Sequence, residues 1–382
     1  MLLCLAVSGT KNFIFDEVGS LMRKYFIDNI RWLCILMLFP FHIFRIYNSF
    51  MEGFYVEGQD VILTTGFIVA MSPWFMPLLF VIAGISSSYA LNKKTNGEYV
   101  KERIYKLFIP LIAGILVVVP AQTYFAERFH NGYTGGYLYQ YVLFFTGPTD
   151  LTGYRGGFTP AHLWFILYLF VISIVALPLM SAYKNSKRKI LPEKIPFWLL
   201  PLLFIFPMLM NPILNFGLSV GEYFAFFMLG YFILSRDSFV QKLDQYRYHL
   251  LIVCFVFMIL SISAWLLQLF GIFELPQIAI RVLLSLYGWL AILTILGLGN
   301  HYLNFRNKWT DYLSVSSFPV YIFHQTWIIV VAYFIILATY NIPLQMVLIL
   351  LASSLLTYAT YELVRRIPYI RFLFGIKPNQ NK

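Results

Sequence analysis

The chain is a succession of apolar runs, each long enough to form a helix that crosses a lipid bilayer. Such a helix needs about 20 mostly apolar residues to span a hydrocarbon core of roughly 30 Å. Only 12% of the 382 residues are charged, far below the share in soluble domains. We therefore predict an all-α, polytopic transmembrane bundle of about ten helices. The predicted helices lie at about 30–47, 65–91, 106–122, 162–181, 196–212, 219–235, 249–270, 277–298, 314–337 and 343–364.

The distribution of charge between the loops predicts how this bundle lies in the membrane. Cytoplasmic loops of membrane proteins carry an excess of Lys and Arg. With the N-terminus in the cytoplasm, the cytoplasmic side holds 24 of the 28 basic and 10 of the 17 acidic residues. The two sides then carry +14 and −3, which account for the net charge of +11. We predict that the protein is integral to the cell membrane with both termini cytoplasmic, and that its basic character implies no nucleic-acid partner.

The chain divides into one membrane domain and two short ends. Residues 22–377 form the predicted integral membrane domain, and residues 378–382 form a tail. Residues 1–21 are an N-terminal extension before Met22, a candidate natural start. The three cysteines are scattered along the chain, so we expect neither disulfides, nor a metal site, nor thiol catalysis.

Two histidines and an arginine lie within predicted membrane helices, where ionisable groups are costly. Arg31 and His42 are eleven residues apart, which places both on one helix face about 16 Å apart along the axis. His324 lies about eleven residues into the ninth helix, which runs in the same direction, so we expect the two imidazoles at similar depth. A neutral imidazole can accept a proton from a hydroxyl group, as a general base does. The alternative for each histidine is a hydrogen bond that only joins two helices.

Charged and aromatic residues mark the two surfaces of the predicted bundle. Arg103 and Lys106 share a helix face at the cytoplasmic start of the third helix, where they would bind a phosphate group or simply face solvent. The outer loop 123–161 is rich in tyrosine and glycine, which suits a carbohydrate site and equally an interfacial aromatic belt. His162 and Glu222 begin the fourth and sixth helices on that side, and each is a candidate for acceptor contact or for a helix-end anchor.

Arg31 is followed by ten residues and then by His42. This spacing resembles the first helix of the acyltransferase-3 family of integral membrane acyltransferases, which carries an Arg or Lys, ten residues and then His. Later motifs lie at 76–84, 103–106, 162–165 and 318–320 with His324, and the ending at 361–366 is similar to the glucan-modifying branch. In the first of these motifs Ala83 replaces a usual serine, and in the second Lys106 replaces the second arginine of an Arg-x-x-Arg element. The resemblance covers about residues 22–377.

The resemblance implies transfer of an acyl group, acetyl or succinyl, from cytoplasmic acyl-CoA to a hydroxyl group of a carbohydrate or cell-envelope glycan on the outer side. His42 would be the general base or, as the alternative, would carry the acyl group transiently, and Arg31 would contact CoA or stabilise developing charge. Arg103 and Lys106 would bind the anionic head of CoA. The residues expected to shape the pocket or contact the acceptor are His324, Phe318, Pro319, His162 and Glu222. Acyl-CoA would be a donor substrate, with no bound cofactor and no metal ion.

Two other classes of function suit the same features. Ten helices with histidines inside the membrane are also typical of a proton-coupled transporter or flippase. The lack of an internal repeat and the basic cluster at 103–106 count against a transporter. In the remaining class, a structural or lipid-binding membrane protein, the polar groups only pack helices.

Overall fold

The computed structural model describes residues 24–49, 53–154, 156–186, 196–215 and 217–376, so the predicted extension 1–21 and tail 378–382 lie outside the described residues. Within the described ranges the chain is helical, and its one β-type pairing is an isolated bridge between Asn215 and Ser219. The predicted all-α class is confirmed. The helices in chain order are α1 (Tyr25–Ile46), α2 (Ile62–Lys93), α3 (Asn96–Asn131), α4 (Tyr137–Thr146), α5 (Ala161–Asn185), α6 (Phe197–Met210), α7 (Val220–Leu234), α8 (Asp237–Gln245), α9 (Arg247–Leu269), α10 (Gln277–Tyr302), α11 (Lys308–Ala338), α12 (Ile342–Val364) and α13 (Pro368–Leu373).

Eight of the described helices are long and apolar enough to cross a membrane, and they coincide with eight of the ten predicted runs. The eight are α1, α2, α3, α5, α9, α10, α11 and α12. The fifth and sixth runs form α6 and α7, apolar helices of 10–17 residues that are shorter than a full crossing. Proline recurs through the run that forms α6, and its first part, Phe197–Phe204, is a 3-10 helix with Pro201 inside it.

α3 is longer than the sequence predicts, and it shortens the predicted outer loop. A capping box formed by Thr95 and Glu98 starts the helix well before the predicted position. The helix ends at Asn131, where Gly132 adopts the left-handed conformation (φ 63°) that closes many helices. The loop predicted over 123–161 therefore begins at Gly132, and it contains the short helix α4.

The short helix α7 is held in the bundle by close contact with α2. A side chain at Gly84 of α2 would overlap the carbonyl group of Phe227 in α7, and one at Gly230 of α7 would overlap the carbonyl group of Val81. Only glycine lets two helix backbones approach this closely. Packing against α7 thus accounts for the glycine that ends the motif at 76–84.

α1 and α11 start at the same end of the bundle. The Asn29 side chain, near the start of α1, donates hydrogen bonds to the carbonyls of Leu303 (2.6 Å) and Phe305 (2.8 Å), just before α11. α2 returns antiparallel to α1, and α3 runs parallel to α1 again. We call the bundle end formed by residues 28–31, 86–93 and 96–106 the basic end. The opposite end, formed by residues 53–61, 130–136, 147–154 and 156–160, is called the cavity end.

Candidate active site

Two histidines meet in the middle of the bundle. His42 of α1 and His324 of α11 have ring centres 5.2 Å apart. Their helices start at the same end, so the similar depth that their spacing predicts brings the two rings side by side. The pair lies between the basic end and the cavity end.

Both rings have hydrogen-bonding capacity that the described residues do not use. His324 Nδ1 donates to the carbonyl of Tyr321, 2.6 Å away, so the single proton of a neutral ring sits on Nδ1. His324 Nε2 and His42 Nδ1 are buried and have no hydrogen-bond partner among the described residues. Nearly all buried polar atoms in proteins are satisfied. Two unsatisfied nitrogens on neighbouring rings therefore make this a candidate site for the polar group of another molecule.

Aromatic side chains enclose the two imidazoles. Phe39 packs edge-on against His324 at 5.7 Å between ring centres, and Phe41 packs edge-on against His42 at 5.5 Å. Phe54 lies nearly parallel to His42, with 6.2 Å between ring centres and 14° between ring planes. His324 is fully buried, whereas His42 is only partly buried. Such walls exclude water, which strengthens polar interactions inside and limits hydrolysis of reactive groups.

His162 brings a third imidazole to the site, with its ring centre 5.2 Å from that of His324. Its Nε2–H donates to the carbonyl of Ile322 (2.9 Å), and its Nδ1 accepts from the side-chain amide of Gln122 (3.3 Å). The backbone carbonyl of His162 accepts a hydrogen bond from the hydroxyl of Tyr321. Both ring nitrogens are thus used within the protein, and the ring is 5% exposed. This geometry favours a role in positioning α11 over the predicted contact with an acceptor.

Uncharged amides extend this network, and the sequence analysis missed them. The Gln122 amide also donates to the hydroxyl of Thr326 (2.7 Å), and the Gln325 amide donates to the side-chain carbonyl of Gln122 (3.0 Å). Both glutamines are buried in apolar helices. The presence of glutamines inside predicted membrane spans is the sequence signal for this network, because a buried amide there requires hydrogen-bond partners.

The basic end gathers two arginines at neighbouring serines of α2. Arg31 donates to the hydroxyl of Ser86 (3.0 Å) and to Asp28 Oδ1 (2.8 Å). Arg103 donates to the hydroxyl of Ser87 (3.1 Å), and its guanidinium lies 4.5 Å from the ring centre of Tyr99. Arg31 and Arg103 therefore bind neighbouring residues of α2, although they belong to different helices.

Lys106 has different partners from Arg103. It pairs with Glu102, which also binds Lys94 at 2.7 Å. The segment Ile104–Phe108 is a π-helical turn, so the spacing between Arg103 and Lys106 is not that of a regular α-helix. The expected common face is therefore lost: Arg103 binds α2, whereas Lys106 binds within α3.

The contacts found for Phe318 and Glu222, two of the remaining predicted site residues, are with other parts of the chain. Pro319 is buried within α11, and Phe318 packs beside Gly375 after α13. The backbone N–H of Glu222 donates to the hydroxyl of Ser219, which caps α7. The Glu222 carboxylate accepts a hydrogen bond from Asn211, which Arg281 of α10 also binds at 2.7 Å. These contacts are those of a helix-end anchor, the alternative role considered for Glu222.

No described part of the chain assembles three or more metal-ligating side chains of the His, Cys, Asp or Glu type into a metal site. Cys34 and Cys254 are both free thiols. The three imidazoles do not converge on one point, since His162 uses both nitrogens and His324 uses Nδ1 within the protein. The site therefore offers proton-accepting nitrogens in an aromatic enclosure.

Comparison with known proteins identifies the family of the chain. The acyltransferase-3 family profile, described as an acyltransferase domain, matches residues 24–362. Glucans biosynthesis protein C of Shigella dysenteriae serotype 1 is 24% identical over 391 residues, which cover 93% of this chain and 95% of that protein. The proteins of the same name from Salmonella paratyphi B and Escherichia coli O139:H28 are 24% and 23% identical with the same coverage. No solved structure matches the chain. Since the profile spans nearly the whole described bundle, the chain belongs to the acyltransferase-3 family of integral membrane acyltransferases.

Proposed function

We propose that this protein is an O-acyltransferase that moves an acetyl or succinyl group from cytoplasmic acyl-CoA to a hydroxyl group of a glucan on the outer side of the cell membrane. The observation that carries the proposal is the pair of His42 and His324, in which each ring keeps a buried nitrogen unpartnered among the described residues. Family membership supports acyl transfer, and the name of the relatives, glucans biosynthesis protein C, supports a glucan as the acceptor.

The basic end supports an anionic donor. The guanidinium groups of Arg31 and Arg103 bind adjacent serines, so both lie at one end of α2. Lys106, with a side chain that is 45% exposed, adds a third cation nearby. Guanidinium groups bind phosphate oxygens through paired donors, which suits the diphosphate of CoA. His42 lies about 16 Å further along α1 than Arg31, a distance that the extended pantetheine arm of CoA would bridge.

In the proposed reaction, His42 accepts the proton of the acceptor hydroxyl while the hydroxyl oxygen attacks the thioester carbonyl. A C–O bond forms, the C–S bond breaks, and the departing CoA thiolate takes the proton back from His42. The unpartnered Nε2 of His324 would accept a hydrogen bond from the protonated ring of His42 and stabilise the imidazolium. Neither step requires a metal ion.

The charge distribution supports an orientation in which the basic end faces the cytoplasm. The side that carries the basic end has a net charge of +14, against −3 on the other side. Both termini are then cytoplasmic. In this orientation the donor enters from the cytoplasm, the acceptor enters from the outer side, and the histidine pair lies between them.

The proposal is tested with the full-length purified protein in proteoliposomes, supplied with radiolabelled acetyl-CoA or succinyl-CoA and a neutral glucan. We expect label in the glucan and release of CoA. His42→Ala should lower the rate at least 100-fold, because general bases contribute about 10²–10⁴, while equilibrium binding of CoA is retained. The matched control is His249→Ala, which removes an exposed histidine of α9 and should leave the rate unchanged.

Two outcomes would contradict the proposal. If no acyl-CoA tested gave label transfer or hydrolysis, the enzyme class would be wrong. If the protein moved glucan across the bilayer without consuming acyl-CoA, it would be a transporter, the main alternative. If label transfer is found, mass spectrometry of cell-envelope glycans with and without the protein identifies the acyl group by its mass.

A further inference from the structure

The cavity end contains an open cavity of about 680 Å³, a size typical of small-ligand sites. It lies where the loop after α1, the end of α3 and the segment before α5 come together, on the opposite side of the histidine pair from the arginines. Its lining residues are Gly53, Glu57, His130, Asn131, Asp150, Thr152 and Tyr154.

The lining suits a molecule with many hydroxyl groups and no negative charge. Glu57 and Asp150 supply carboxylates, Asn131 supplies an amide, and Tyr154 supplies an aromatic ring. Carboxylates and amides form hydrogen bonds with hydroxyl groups, while an aromatic face packs against the apolar C–H surface of a sugar ring. Two carboxylates, Glu57 and Asp150, are among the described lining residues and no Lys or Arg is, so an anionic ligand would meet like charge from both carboxylates. A described guanidinium, that of Arg45, lies 5.8 Å from the Phe54 ring centre.

The walls of the cavity are fixed by hydrogen bonds of their own. Asp150 Oδ1 accepts from both the backbone N–H (2.9 Å) and the hydroxyl (2.7 Å) of Thr152. The buried hydroxyl of Tyr55 donates to the carbonyl of Thr152 at 3.1 Å, and burial raises the pKa of Tyr55, so the phenol stays protonated. The ring of Tyr55 packs edge-on against Tyr154 at 5.0 Å between centres. A preformed wall loses little entropy when a ligand binds.

Phe54 lies between this cavity and His42. Its ring stacks on His42 on one side, and its ring centre is 6.1 Å from that of Tyr154 in the cavity wall. Its backbone is held by two lining residues, since its N–H donates to Glu57 Oε1 (3.1 Å) and its carbonyl accepts from His130 Nε2 (2.6 Å). The residues that would bind a ligand in the cavity are thus the residues that hold Phe54 over the base.

We propose that this cavity binds the sugar acceptor as an uncharged, polyhydroxylated unit, and that Phe54 is a positioning residue that closes His42 off until the acceptor is bound. Sugar hydroxyls that hydrogen-bond to Glu57 and His130 compete with the backbone of Phe54 and allow its ring to leave His42. The acceptor hydroxyl then reaches His42, gives up its proton and attacks the thioester. This inference rests on the proposed function and adds the acceptor site and its selectivity.

The site itself is tested by binding in the absence of any donor. The detergent-solubilised full chain is titrated with tritiated maltoheptaose, with an oligogalacturonide of equal length as the anionic competitor. We expect saturable binding of maltoheptaose that the anionic sugar does not displace. Glu57→Gln should weaken binding about tenfold, because a hydrogen bond to a charged group is replaced by one to a neutral amide. The matched control is Glu274→Gln, an exposed carboxylate in the loop between α9 and α10.

The closing role of Phe54 is tested by measuring acyl-CoA hydrolysis without acceptor. Phe54→Ala should raise this hydrolysis about tenfold, since water then reaches His42, while Phe54→Leu, which keeps most of the volume, should stay near the wild-type rate. Unchanged hydrolysis in a folded Phe54→Ala variant would overturn the closing role.

The outcomes separate this inference from the proposed function. Wild-type transfer to maltoheptaose together with an unchanged acceptor KM in Glu57→Gln and Asp150→Asn would overturn the cavity as the acceptor site and leave the acyltransferase intact. Saturable, Glu57-dependent binding of maltoheptaose without any acyl transfer would support the sugar site and contradict the transferase. Displacement by the oligogalacturonide would overturn the selectivity for uncharged sugars.

Discussion

His324 and His162 are the same residue type, are both buried, and have ring centres 5.2 Å apart, yet their surroundings differ in one decisive respect. His162 uses both ring nitrogens in hydrogen bonds with α3 and α11. His324 uses only Nδ1, its Nε2 is unpartnered among the described residues, and its ring centre lies 5.2 Å from that of His42. Burial and depth alone therefore do not distinguish a packing histidine from a reactive one. We expect the unused hydrogen-bonding capacity of His324 to make this distinction.

Among the substitutions that test this comparison, His324→Ala is expected to have the largest effect on kcat. Loss of the imidazole that stabilises protonated His42 should lower kcat about 100-fold, within the range of general acid–base contributions. The donor KM should change little, because the basic end is untouched. Steady-state kinetics with acyl-CoA and glucan measure both constants. A kcat within twofold of wild type would place His324 with His162 among the packing residues.

The same comparison extends to the two predicted donor-binding cations. The Arg103 Nε atom is buried and unpartnered among the described residues, whereas Lys106 is half-exposed and paired with Glu102. Arg103→Ala should raise the KM for acyl-CoA about tenfold, the value of one lost charge-assisted hydrogen bond. Lys106→Ala should raise it less than about twofold, as exposed ion pairs contribute little. Equal effects of the two substitutions on the donor KM would contradict this distinction.

The smallest effect on the chemistry is expected for His162→Gln. The substitution breaks the fitted hydrogen bonds to Gln122 and Ile322, so it should destabilise the fold by about 1–3 kcal/mol, seen as a lower melting temperature in detergent. The kcat of the folded fraction should stay within about threefold of wild type. A large loss of kcat with an unchanged melting temperature would instead make His162 a reacting group.

Much of the fold is readable from the sequence because the bilayer imposes a length. Eight of ten predicted runs are full-length helices, since run length and charge spacing determine them directly. The same reasoning does not identify α6 and α7 as short helices, because an apolar run of similar length can form a helix that is too short to cross the membrane. Gly84 and Gly230, which let α7 pack tightly on α2, are 146 residues apart in the chain, so their contact is invisible in any local pattern.

The candidate site was predicted in part. The number of residues from the start of each helix predicts that His42 and His324 lie at the same depth, because both helices are regular and parallel. The hydrogen bonds that use both ring nitrogens of His162 are made with Gln122 and with the carbonyl of Ile322, which are distant along the chain. The π-helical turn after Arg103 separates it from Lys106, although the motif spacing suggests a shared face. The lining of the cavity comes from three separate segments, which a linear reading cannot assemble.

The residue spacing within α1 sets the distance between two proposed functional groups. Arg31 and His42 belong to one helix, so the distance between the proposed donor-binding end and the proposed general base is set by their separation in the sequence. The interval of eleven residues is three helical turns plus about 20°. Inserting one residue between Arg31 and His42 would turn the imidazole by about 100° away from α11. Evolution in this interval should therefore tolerate exchange of one apolar residue for another far better than any change in length.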